Sequence, residues 1–211
     1  MSKMIAIIGG EAFAKEVIEV AEAVGYEIYG IFAKEEPSDT QYPYRGYLEE
    51  LDEQKSNFSG VIVAIGAFNK KTIKARNNIL AFLMSNDIRQ ISIISPFARI
   101  GARAIIGKGV YIAHNVVIAI DANIGDAVLI NTGALIGHNV IVSSNSSIGS
   151  RVFIGGGTII EKNVTIGASS SILQGICVGS GSTLGMASLV LKSLKPNSFV
   201  LPSPSHVISN D

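Results

Sequence analysis

From Ile94 onward an aliphatic residue returns at every sixth position without a slip: Ile94, Ile100, Ile106, Ile112, Ile118, Ile124 and Ile130, continuing to Leu184 and Val190. Glycine often follows at once, as in Ile100-Gly101, Ile106-Gly107, Ile124-Gly125, Ile136-Gly137, Ile148-Gly149, Ile154-Gly155 and Ile166-Gly167. Four positions past the aliphatic stands a small or β-branched side chain, such as Ala104, Val110, Val116, Ala122 or Val128. A hexad period sustained this long predicts a parallel β-helix. The aliphatic points into a narrow prism, the glycine turns the corner, and the small residue fits beside it.

Residues 1–92 follow another pattern. "KMIAIIGG" reads as a buried strand ending at a glycine pair, and "EIYGIF" and "GVIVAIG" as two more. Between them, Ala14, Val17, Ile18, Ala21 and Val24 fall at helical spacing, with Gly25 as a stop. "KTIKARNNILAFLMSN" predicts a second long helix, and "EEPSDTQYPY" is a loop by composition. Strands alternating with helices predict a small parallel, Rossmann-like sheet with crossover helices. The chain therefore divides into an α/β domain, 1–92, and a β-helix with a C-terminal tail, 93–211; Pro202 and Pro204 make the tail extended.

Charge sharpens the division. The chain carries 17 basic and 17 acidic residues, with no Lys/Arg-rich stripe, which argues against a nucleic-acid partner. Between Ile100 and Val190 the charged residues are Arg103, Lys108, Asp121, Asp126, Arg151, Glu161 and Lys162 alone. Walls this poor in charge predict burial in a homo-oligomer. No apolar run approaches membrane-spanning length. The opening "MSKMIAIIGGEAFA" imitates a signal peptide, but its apolar core, Met4 to Ile8, is short and reads better as the first strand. A lone cysteine, Cys177, excludes an internal disulfide or a cysteine metal cluster, and a cytoplasmic protein is expected.

A small Rossmann-like domain followed by a left-handed β-helix resembles the nucleotide-amino-sugar N-acetyltransferases of bacterial glycan synthesis. Sialic acid O-acetyltransferase-like proteins share the layout. "INTGALIGHNVIV", Ile130 to Val142, is the most specific piece of the resemblance. It implies acetyl-CoA as co-substrate, no metal, a homotrimer with active sites between subunits, and His138 as general base. It also implies Asn131 near the sugar. Gly156, three hexads after His138 and so one coil above it, is the implied source of an oxyanion-stabilising N–H. Gly157 extends the triple glycine along which CoA would pass. Ser147 would stand by the acetyl group, backbone around Gly185 and Ala187 would meet pantetheine, and Lys192 would approach the phosphates. In the first domain the resemblance implies a nucleotide site at Gly9, Gly10 and Phe13, with Lys34 and Asn69 as further contacts. Asn69 could equally cap its loop.

Departures from that pattern shape the expected chemistry. Asn139 stands where the family has an acidic partner for the base. Asparagine can orient an imidazole but contributes no charge. An amine is easier to activate than a hydroxyl, so transfer to a UDP-linked 4-amino-4,6-dideoxy sugar is favoured. O-acetylation of sialic acid or another sugar, and an inactive trimeric scaffold, stay open as alternatives. Cys177 is expected to be structural, and His114, four hexads before His138, to belong to a wall or interface. A third histidine for a zinc site would have to be His206 in the tail, an implausible ligand.

Overall fold

The computed structural model describes residues 3–67 and 69–202, so Pro204 and His206 lie outside the described residues. In the first domain, β1 (Met4–Ile8), α1 (Ala12–Ala23), β2 (Glu27–Phe32), a short α2 (Leu48–Glu53), β3 (Val61–Val63) and α3 (Lys70–Ser85) succeed one another. The three strands are parallel, in the order β2-β1-β3. Alternation along β1 divides its side chains between two cores. Ile5 and Ile7 pack with Val17 and Val20 of α1, while Ala6 and Ile8 pack with Ile79 and Leu83 of α3. Helix α1 stops where expected: Gly25 takes φ +86°, and the Tyr26 N–H returns to the Ala21 carbonyl at 3.0 Å.

The second domain is the expected parallel β-helix. Its very short strands stack into sheets of seven, six and five. Partners lie one coil, or three hexads, apart, as in Leu135 with Phe153 and Ile136 with Ile154. Wall one runs through Ile93–Ile94, Tyr111–Ile112, Leu129–Ile130, Ser147–Ile148, Thr165–Ile166, Thr183–Leu184 and Phe199–Val200. Wall two begins at Arg99–Ile100 and wall three at Ile105–Ile106. The second residue of each strand points inward; Ile112, Ile118, Ile124, Ile130 and Ile136 are all 0% exposed. The hexad period is thus the prism interior itself.

The corners obey a rule the glycine pattern misassigned. The glycine after the aliphatic does not supply the turn. A Cβ on Gly137 would lie 2.7 Å from the Gly156 nitrogen, and one on Gly167 would lie 2.5 Å from the Met186 nitrogen, so these glycines admit the backbone of the next coil. The left-handed turn comes two positions later, where Arg103, Asp121, Asn139, Arg151, Asn163 and Ala187 hold φ between 55° and 60°.

Each wall meets a different environment. The first domain lies across wall one: Phe13 of α1 packs edge-to-face on Tyr111 with centroids 5.4 Å apart, and the Tyr111 hydroxyl donates to the Glu16 carbonyl at 3.5 Å. Core side chains of α1 and the prism interior form one continuous cluster. On walls two and three the outward positions stay open, leaving Val117, Leu135 and Phe153 on one and Ile105, Ile141 and Ile159 on the other as exposed apolar stripes. No helix among the described residues is long and apolar enough to cross a membrane.

The two kinds of corner glycine predict different costs. Gly167→Ala forces a Cβ into backbone and should destabilise by about 1–3 kcal/mol. Gly175→Ala meets nothing within 4 Å at φ +71° and should cost about 1–2 kcal/mol from the left-handed backbone alone. Thermal unfolding of the two variants beside the parent chain measures the difference.

Candidate active site

His138 sits at the corner between walls two and three, exposed. Its Nδ1 lies 2.9 Å from Oδ1 of Asn139. An amide oxygen only accepts, so Nδ1 carries the proton and Nε2 is left with the lone pair. Asn139 holds φ +57°, a backbone conformation that asparagine tolerates better than most residues. One residue therefore shapes the corner and fixes the ring's tautomer.

One coil up, Gly156 forms the floor against which the ring rests. A Cβ there would fall 2.5 Å from Nε2 and 2.7 Å from Cε1 of His138, so only glycine lets the imidazole lie across this backbone. At this corner the third residue's N–H continues the ladder, as Gly157 does to the His138 carbonyl at 2.8 Å. The Gly156 N–H has no acceptor among the described residues. A basic nitrogen and an unpaired backbone donor thus lie side by side, the pairing that proton removal and stabilisation of a developing oxyanion both need.

Other charges are turned away. Asp121, one coil below Asn139, is held by Arg103 through two bonds, Nε to Oδ1 at 2.7 Å and Nη2 to Oδ2 at 2.8 Å. The Arg103 hydrogen bond and charge lower the Asp121 carboxyl below its ordinary range. Cys177 occupies an outward, half-buried position on wall three; burial, then the neighbouring Glu161, pushes its thiol up, the wrong direction for a nucleophile. Among the described residues no group of three or more His, Cys, Asp or Glu side chains could hold a metal.

The residues singled out in the sequence gather at three places. His138, Asn139, Gly156 and Gly157 share one corner, and exposed Lys192 lies in the last corner between the same two walls, which is two residues shorter than those below it. Gln174 stands one coil above Gly156 at that corner; the sequence reading missed it, although the same spacing marks it. Asn131 begins the corner between walls one and two, at the far end of wall two from His138, with Gly185 and Ala187 three coils above it. Within one chain that wall separates the two groups.

The third place is the carboxyl edge of the small sheet. Gly9 takes φ +125° and packs so closely that a Cβ would meet the Ala64 carbonyl oxygen at 2.5 Å. Gly10 would meet Pro37 at 2.4 Å, and Lys34 is exposed.

Two assignments need correction, and a third residue takes one of the two roles left open for it. Ser147 is 2% exposed on wall one, between Leu129 and Thr165, across the prism from His138 and so removed from any thioester there. Phe13 spends its ring on Tyr111, as part of the domain interface. Asn69 caps α3, its Oδ1 accepting from the Thr72 N–H at 3.0 Å, which is the capping role that the sequence left open.

His114 is held by a hydroxyl instead. The Ser95 hydroxyl accepts from the Phe97 N–H at 3.0 Å and lies 2.6 Å from His114 Nδ1. A hydroxyl oxygen has two lone pairs and one proton, so it can accept from the Phe97 N–H and bond the ring in either direction, and His114 is anchored at its corner through Nδ1.

Residues 4–80 match the family model of the PglD N-terminal domain. Solved structures extend the likeness to the whole chain. A mutant of perosamine N-acetyltransferase from Caulobacter crescentus, in complex with CoA and GDP-perosamine, is 23% identical, with a TM-score of 0.87 over 98% of this chain and 97% of that one. PerB from the same organism, with the same two ligands, is 25% identical, with a TM-score of 0.85 over 92% of each chain. The acetyltransferase domain of PglB from Neisseria gonorrhoeae, in complex with acetyl coenzyme A, is 24% identical, with a TM-score of 0.83 over 93% of this chain and 94% of that one. Among curated proteins, no sequence matches. The layout that carried the sequence resemblance, an α/β domain followed by a β-helix, is borne out.

Gly156→Ala isolates the seat of the ring. Its Cβ would overlap Nε2 of His138, an exposed side chain that can swing away, and the backbone there needs no left-handed turn. The variant should fold with a thermal midpoint close to the parent's while the His138 ring leaves its place, which the His138 resonances in an NMR spectrum report directly.

Proposed function

We propose that this CoA-dependent acyltransferase is an N-acetyltransferase that moves the acetyl group of acetyl-CoA to the amino group of a nucleotide-linked sugar. A UDP-linked 4-amino-4,6-dideoxy sugar is the proposed acceptor, and a homotrimer the proposed working form. The observation that carries the reading is the His138 corner: a ring with its basic Nε2 free, held by Asn139 and lying against Gly156 with its unpaired N–H. The similar structures from Caulobacter crescentus hold CoA with GDP-perosamine, and the one from Neisseria gonorrhoeae holds acetyl-CoA.

Transfer would be direct. The sugar amine attacks the thioester carbonyl carbon, forming a C–N bond and putting negative charge on the carbonyl oxygen, which the Gly156 N–H would receive. His138 Nε2 takes the proton the nitrogen sheds. The C–S bond then breaks, and the departing sulfur recovers a proton as free CoA. No residue becomes acylated, in keeping with the raised thiol of Cys177. Asn139 orients the imidazole without stabilising its cation, which suits an amine nucleophile better than a hydroxyl. The column rising from His138 through Gly156 to Gln174 spans on the order of 10 Å at about 4.8 Å per coil, and exposed Lys192 lies in the shortened corner above it, giving an extended pantetheine arm a track with a cation near its end.

Assembly supports the same reading. Asn131, Gly185 and Ala187 lie across wall two from His138, so a second copy is needed to bring such a corner to the base. The half-exposed stripes of Leu135 and Phe153 on wall two, and Ile141 and Ile159 on wall three, are the surfaces such copies would cover.

His138→Ala should lower kcat by about 10²–10⁴-fold with little change in either KM, measured by thiol release from acetyl-CoA. Among acceptors, a UDP-4-amino sugar should outperform its GDP counterpart and free sialic acid. Turnover with sialic acid alone would favour the O-acetyl reading, and no thiol release with any acceptor would favour a scaffold. Sedimentation equilibrium should give three times the 22.2 kDa chain mass.

A further inference from the structure

Helix α3 carries Arg76 in line with Ile73, Ile79 and Leu83, the residues it buries, and Arg76 is itself 0% exposed. Burial lowers its guanidinium to about 10, still protonated at neutral pH, and no carboxylate among the described residues pairs with it. Four oxygens solvate it instead. Nη1 donates to the carbonyls of Val63 at 3.0 Å and Ile65 at 2.8 Å, Nη2 to that of Ala127 at 2.7 Å, and Nε to Oδ1 of Asn145 at 2.8 Å.

Those acceptors belong to both domains. Val63 ends β3 and Ile65 lies in the turn after it, whereas Ala127 and Asn145 are left-handed corner residues of successive β-helix coils. Asn145 passes the contact on, its Nδ2 donating to Oδ1 of Asn77 and of Asn163, each at 2.9 Å. A second bond reaches the same turn independently: the buried Thr165 hydroxyl on wall one donates to the Ala67 carbonyl at 2.7 Å.

A buried cation is a costly way merely to join two domains, because apolar side chains of similar volume often stabilise as well or better. What this arrangement adds is direction. Its bonds end on the β3–α3 turn, and that turn is one lip of the crevice at the carboxyl ends of β1 and β3, where the order β2-β1-β3 switches direction and where parallel sheets take their ligands. Gly9 is the other lip, packed on Ala64.

We propose that Arg76 and Thr165 are positioning residues: they hold the β3–α3 turn at a fixed place relative to the β-helix, so that a nucleoside diphosphate bound at the crevice is set in register with the coils that carry the reaction. This rests on the nucleotide-sugar reading above. Neither side chain touches substrate; both act through the carbonyls of Val63, Ile65 and Ala67.

Thr165 gives the cleaner test, since Arg76 variants strand polar groups and can fail to fold. Thr165→Val keeps the shape and removes one hydrogen bond, and Thr165→Ser restores the hydroxyl. UDP, GDP and CoA are titrated into the full-length protein by calorimetry, with hydrogen exchange followed from Ala64 to Ala67 without ligand. Thr165→Val should weaken nucleotide binding by about three- to ten-fold, leave CoA binding unchanged and speed exchange in the turn, and Thr165→Ser should recover nucleotide affinity. Unchanged nucleotide affinity in Thr165→Val, or equal losses for nucleotide and CoA, would overturn the positioning role. A parent chain that binds neither UDP nor GDP would instead remove the nucleotide reading itself, and the positioning role with it.

Discussion

Every outward side chain of the β-helix is tied to the one a full coil away, because the backbone ladder allows no slip between coils. A strand shifted by one residue would turn the whole row of inward isoleucines to solvent. The register is therefore held by the same burial that stabilises the prism, and everything at the corners inherits its accuracy. His138 rests against Gly156 for this reason, although neither residue's local sequence brings the two together. The ring needs no helix or loop of its own; the stack provides the platform.

The three walls share one backbone and diverge in their outward positions. On wall one these run from Ile93, Tyr111 and Leu129 to Ser147 and Thr165, all buried, changing from apolar to hydroxyl along the stack. Apolar side chains receive α1, and a hydroxyl receives the β3–α3 turn. Walls two and three keep aliphatic side chains half open, and the corner between them carries the imidazole. The faces thus differ in what they present: one is covered by the α/β domain, two keep apolar side chains open, and the edge between those two carries the imidazole.

Much of this is legible in the chain. The hexad period fixes the prism, its walls and the vertical neighbours of the corner residues as far as Val190, so the contact of His138 with Gly156 follows from counting; beyond Val190 a corner two residues shorter breaks the count. Counting does not say which wall the first domain covers, because that depends on α1 docking on Tyr111, a contact between distant parts of the chain. The places of Ser147 and Phe13 escape the sequence for that reason. Arg76 leaves a trace of a different kind: a charged residue at helical spacing within the stripe of Ile73, Ile79 and Leu83. Periodicity marks such a residue as buried but does not name its partners, here two corner residues from the other domain.

The ladder between coils constrains where the chain can change length. The strands keep their walls even where a coil is shortened: Phe199 and Val200 lie sixteen residues after their partners Thr183 and Leu184, and Leu194 sixteen after Val178, so the two missing residues come out of the corner after Val190 and not out of a strand. From His138 through Gly156 to Gln174 the corner keeps the full eighteen-residue step. Chain length can therefore vary at a corner without moving any side chain to another wall, while the rise from one level to the next stays that of neighbouring strands.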